Sequence, residues 1–204
     1  MTRRFTSPVV VPVALFLGTL LTIILALVQV VQIPLGLLPQ DSQRLTVVPV
    51  WHFMHVLGGA TFGILGPLQF GRVLARRYGR LHRVLGRVFV GAGAMITASS
   101  LGLLWHFPAT YSVIVSSGRL LFGIALGVAL AIAMQAIRRR DLPRHRNWMI
   151  RAYAVGMGAT AVTMVFFPIY AITGEPPTGL AADIAFMGSW TACVVFAEVL
   201  VRRI

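Results

Sequence analysis

The chain has no lysine, five acidic residues and a single cysteine. Each shortage excludes something. With one thiol, Cys193, there is no internal disulfide and no cysteine-based zinc or iron–sulfur site. Lying inside an apolar run, that thiol reads as a small packing residue. The few acids form no close carboxylate pair, and no unpaired acid stands near the middle of an apolar run, which argues against a proton-coupled transporter. Also missing are GxSxG, HExxH, a phosphate-binding Gly-Lys loop and a dinucleotide fingerprint. The "GAGAM" of residues 91–95 belongs to a helical run rather than a strand-to-helix turn. A hydrolase or an enzyme of a soluble cofactor is not expected, and no catalytic residue is assigned.

What the chain has instead is apolar length. It is 57% hydrophobic and 11% charged, against about 25% charged in a soluble domain; its mean hydropathy is +0.84. A helix needs about 20 apolar residues to cross the hydrocarbon core. Six segments qualify: 9–31, 50–72, 84–105, 113–137, 150–172 and 181–201. The first follows the positive start "MTRRF", as in a secretory signal. Its apolar stretch is about twice the usual 7–15-residue core of such signals, and no small-x-small cleavage site follows, so it is expected to remain as a span. The sequence therefore predicts an all-α fold: one polytopic integral membrane domain over residues 1–204, built as a six-transmembrane-helix bundle.

A net charge of +13 would suggest nucleic acid in a soluble protein. Here the arginines stand between spans and no separate basic module is left, so nucleic acid is not an expected partner. The bilayer is, with its anionic headgroups. With a cytoplasmic N-terminus, Arg3, Arg4, the six arginines of 72–87, the six of 138–151, Arg202 and Arg203 all lie inside, and Arg44 and Arg119 outside. Sixteen against two is a strong positive-inside pattern. It predicts a multi-pass protein of the bacterial plasma (inner) membrane with both termini cytoplasmic. Arg119, at the outer boundary, can snorkel or pair with Asp183. Glu198 is deep enough to need a partner, and Arg202, four residues on, is the simplest.

Two basic boxes stand out, "RLHRVLGRVF" (80–89) and "RHRNWMIRAY" (144–153). Each follows a glutamine (Gln69, Gln135) and an arginine run, and each leads into a Gly/Ala-rich helix, "VGAGAM" or "VGMGAT". Spans 2–3 and 4–5 thus read as a duplicated helix pair related by an axis along the membrane normal. The stretches "HVLGGATFGILGPLQF", "LHRVLGR" and "HRNWMIRAYA", in that order, resemble the prokaryotic membrane-protein family known as domain of unknown function 2306, over about residues 51–168. That resemblance implies fold and location rather than chemistry. Many family members carry a further arginine in the fifth span; Thr163 stands here, so no role of that arginine carries over.

Two functional classes follow. A helix N-terminus flanked by arginines disfavours a protonated imidazole, and a neutral imidazole is the form that ligates iron. On that reading His82 and His145, placed around the repeat axis, are metal ligands of a b-type haem. Failing that, they contact a quinone, with His55, Arg83, Arg146 and Trp148 as further cofactor-binding residues of a membrane redox protein. The alternative is a non-enzymatic membrane component binding a lipid or small ligand at the Arg-rich cytoplasmic face, with Trp148 and Tyr153 as interfacial anchors. His52 and His55 share a helical face with Gly59, Gly63 and Gly66, a small-residue stripe expected to face other helices. His106 reads as a helix cap.

The topology is checked by single cysteines in a Cys193→Ser background. Tyr78→Cys and Asp141→Cys should be shielded from an impermeant thiol reagent in intact cells, and Pro176→Cys should label. The opposite pattern would invert the bundle.

Overall fold

A computed structural model describes residues 10–38, 46–107 and 112–203. Seven helices run through them: α1 (Val10–Leu35), α2 (Pro49–Gln69), α3 (Arg72–Arg77), α4 (Gly79–His106), α5 (Val113–Arg138), α6 (Leu142–Thr173) and α7 (Gly179–Arg202). The fold is all-α. Arg3, Arg4, Asp41 and Arg44 lie outside the described residues, as do most of the "HFPAT" turn and part of the 32–49 loop.

Five helices, α1, α4, α5, α6 and α7, are long and apolar enough to cross a membrane. Helix α2 has the length, with 21 residues or about 31 Å at 1.5 Å per residue. Its two histidines interrupt the apolar run, so no long stretch of it is as apolar as those of the five. The reason for that composition lies in its position. α2 runs between α1 and α4, with its inner end reaching α6, so few of its side chains need to satisfy lipid.

The basic segments are helical, where the sequence reading began two spans at residues 84 and 150. α4 starts at Gly79 and α6 at Leu142. The Asp141 side chain accepts the Arg144 N–H at 3.0 Å, and Pro143 stands in the first turn. Both are strong helix-start signals, and arginine is a good helix former. Apolarity marks where a helix enters the bilayer; capping marks where it begins. The 32 residues of α6 span about 48 Å, well beyond a hydrocarbon core of about 30 Å.

The remaining neighbours follow chain order, α4 on α5, α5 on α6 and α6 on α7, with α1 touching α6 to close the bundle. At its centre Phe62 of α2 stacks on Phe89 of α4, centroids 4.2 Å apart, among Leu126, Leu130, Met149 and Tyr153. A second aromatic group joins α5, α6 and α7: Phe122 lies parallel to Trp190 at 5.3 Å, and Trp190 Nε1–H donates to the Val155 carbonyl at 2.9 Å. The outer faces carry exposed Leu17, Leu121 and Phe196. Leu and Phe on that face suit lipid.

The glycine stripe of α2 divides among different neighbours. A Cβ on Gly58 would meet the Ala92 carbonyl of α4 at 3.0 Å; on Gly63 it would meet Ile23 of α1, and on Gly66 the ring of Tyr153. Gly59 faces open space, which corrects its place in the expected seam. A helix enclosed on three sides cannot use one small-residue face for all its contacts.

Gly58→Leu should therefore lower thermal stability in detergent by about 1–3 kcal/mol, the cost of overpacking, while Gly59→Leu melts like the parent. Equal melting of both would mean that α2 and α4 do not approach at Gly58.

Candidate polar-ligand site

The turn from α5 to α6 is tight, with Arg140 at φ 62°, and it brings the start of α6 back onto the end of α5. There His145 Nδ1–H donates to the Ala133 carbonyl at 2.9 Å. That bond fixes the ring and leaves Nε2 available. His82, one turn into α4, has its Nδ1 buried with no partner among the described residues. His82 and His145 thus stand at equivalent places, one turn into α4 and one turn into α6.

Other polar groups share this seam. Gln69, the last residue of α2, rests its Oε1 3.2 Å from where a Gly86 Cβ would stand. Gly86 is one turn above His82 on the same face of α4. The ring of Tyr153 lies over Gly66, one turn before Gln69, and 5.1 Å from Phe70. Tyr153 is 5% exposed. Its hydroxyl and Gln69 Nε2 are, like His82 Nδ1, buried without a partner among the described residues. A buried polar atom left unmade costs about 1–3 kcal/mol. Three such atoms stand on α2, α4 and α6, and none has a hydrogen-bond partner among the described residues. Two further atoms of this kind, His52 Nδ1 and Thr22 Oγ1, lie on the α1–α2 side.

The other expected site residues sit elsewhere. His55 Nδ1 is 3.2 Å from Ser99 Oγ and 3.4 Å from Ser100 Oγ on α4, and His52 bonds Gln29 of α1 at 2.9 Å. Both histidines point inward, but His55 is 14 residues before Gln69, about 21 Å along the helix, and does not join His82. Arg83 turns back over Gly79, its Nη1 3.6 Å from the position of a Cβ there, and Arg146 is exposed on α6. Trp148 lies under the Arg151 guanidinium at 4.8 Å. His106 Nδ1–H donates to the Gly102 carbonyl at 2.8 Å, capping α4.

One expected pairing is corrected. Glu198 binds Arg151 of α6 through Nε at 2.5 Å and Nη2 at 3.0 Å, rather than Arg202. The two-pronged bond across helices is stronger than a one-helix pair on a surface. Asp183 accepts from Ser112 Oγ at 2.5 Å, and that hydroxyl also caps α5 by accepting Val115 N–H at 3.0 Å. Arg119 stands over the Phe186 ring at 5.1 Å.

By sequence alone, Gln69 marks only the repeat and Tyr153 only an interfacial anchor. The signal for Gln69 was its place as a polar side chain at the end of an apolar helix. Nothing local marks Tyr153; its burial comes from Gly66, 87 positions earlier in the chain.

A family model described as predicted membrane protein (DUF2306) matches residues 52–201. No curated protein and no solved structure matches the chain.

Removing an unmade bond should relieve its cost, so Tyr153→Phe in the purified, ligand-free protein should melt at the parent temperature or higher. A drop in melting temperature would mean that the hydroxyl is already bonded.

Proposed function

We propose that this chain, which belongs to the DUF2306 family of membrane proteins, binds the headgroup of a lipid-soluble ligand of the quinone class in the seam of α2, α4 and α6. The observation that carries the reading is the trio of buried, unpartnered atoms, Gln69 Nε2, His82 Nδ1 and Tyr153 Oη. A quinone presents two carbonyl acceptors at opposite edges of a flat apolar ring. The Gln69 amide and Tyr153 hydroxyl are donors, and His82 Nδ1 donates in one tautomer. The Phe70 ring stands 5.1 Å from that of Tyr153 and supplies an aromatic wall beside them. Room for one ring would have to come from Gln69 moving off Gly86, over which its Oε1 rests.

Haem b fits this seam poorly. The Nδ1–H bond of His145 to a carbonyl is the arrangement that metal-bound imidazoles use, and His82 and His145 are the residues that would hold the iron. A macrocycle also needs a slot between them. Phe62 and Phe89 are 1% and 0% exposed, the Tyr153 ring fills the space over Gly66, and Gln69 covers Gly86. Among the described residues, no three His, Cys, Asp or Glu side chains gather as a metal site. No chemistry is assigned to a haem.

The bundle is proposed to have six spans, with α2 as the enclosed one, both termini cytoplasmic, and the bacterial plasma membrane as its location. The length of α2 and its place between α1 and α4 favour this, as does the arginine distribution. The pairs α2–α4 and α5–α6 are proposed copies of one hairpin. They have diverged in bonding: the imidazole of one copy is anchored on Ala133, while Nδ1 of the other has no partner among the described residues.

Titration of the purified full-length protein with a short-tailed ubiquinone, followed by tryptophan quenching, tests the proposal. Gln69→Leu and His82→Ala should each weaken binding about ten-fold, one charge-free hydrogen bond's worth, with no Soret band in the preparation. Equal affinity of the parent and both variants sinks the quinone reading; a Soret band lost in His82→Ala would reinstate haem.

A further inference from the structure

The short helix α3 and the first turns of α4 meet at an elbow, Tyr78–Gly79. An open groove of about 520 Å³ lies there, lined by Arg77, Tyr78, Gly79, Arg80, Leu81 and Val84. Its two ends differ in chemistry. Tyr78, Leu81 and Val84 are about half exposed and apolar. The Arg77 guanidinium stands 5.8 Å from the Tyr78 ring centre, and the absence of a side chain at Gly79 lets Arg83 fold back over the same spot. No carboxylate among the described residues forms an ion pair with Arg77, Arg80 or Arg83; the pair formed there is Arg151–Glu198. The groove is a cluster of uncompensated positive charge directly above an apolar floor, at the point where the apolar run of α4 begins.

We infer that this elbow holds an anionic phospholipid, its phosphate between Arg77, Arg80 and Arg83 and an acyl chain along Leu81 and Val84. Charge complementarity selects the headgroup, since a zwitterionic lipid offers no net charge to three guanidiniums. The apolar floor selects a lipid over a free anion. The site is separate from the His82 seam. Leu81 and Val84 lie on the outward face of α4, whereas His82, Gly86 and Phe89 line the inward one.

The test uses purified full-length protein in detergent, with phosphatidylglycerol and phosphatidylcholine of equal chain length as probes and native mass spectrometry as readout. Phosphatidylglycerol should be retained over phosphatidylcholine. Arg77→Gln with Arg80→Gln should cut that retention about 25-fold, at roughly five-fold per arginine. Arg139→Gln with Arg144→Gln, an equal change of charge elsewhere on this face, should leave it unchanged. Val84→Trp fills the groove at constant charge and should also reduce retention, which keeps the test open if the double variant misfolds. Equal retention of both lipids, full retention in either groove variant, or an equal loss in the distant control overturns the site.

Discussion

The close approach of α2 to its neighbours is the constraint on which the rest of the molecule depends. A helix placed among three others must bring its backbone near theirs, and glycine permits that where contact is tightest. At Gly58 the carbonyl of Ala92 stands where a larger residue would collide. At Gly66 the absent side chain is replaced by the Tyr153 ring from α6, which in turn touches Phe62 and Phe70. The aromatic centre and the polar seam below it share these contacts. In lipid there is no hydrophobic gain in moving an apolar helix from bilayer to bundle, so such close packing supplies much of the association.

Polar groups then set the order among helices that are otherwise similarly apolar. The Arg151–Glu198 bridge and the Trp190 bond to the Val155 carbonyl hold α7 on α6. Ser112 ties α7 to the start of α5 through Asp183. His52 and His55 tie α2 to α1 and α4 through Gln29, Ser99 and Ser100. Each of these side chains would be expensive facing hydrocarbon, and each is turned toward another helix. The seam of α2, α4 and α6 is the exception that suggests function: Gln69, His82 and Tyr153 are turned inward as well, yet Gln69 Nε2, His82 Nδ1 and Tyr153 Oη have no such partner among the described residues.

Composition and arginine placement determined what kind of protein this is. An all-α chain with multiple apolar helices and a basic face follows from run lengths and the cost of charge in lipid, and the two boxes with their glutamines were visible as local patterns. Pairing across helices was not. Glu198 has Arg202 one turn away in sequence, yet binds Arg151, 47 positions distant, because α6 and α7 pack side by side and a bidentate geometry is open only there. Gly59 and Gly58 are adjacent and alike in composition, but a rotation of α2 by 100° per residue puts one in open space and the other against α4. The burial of Tyr153, and with it the candidate site, is likewise decided by which helices touch, a property of side-chain volumes summed over the whole bundle that no stretch of sequence carries by itself.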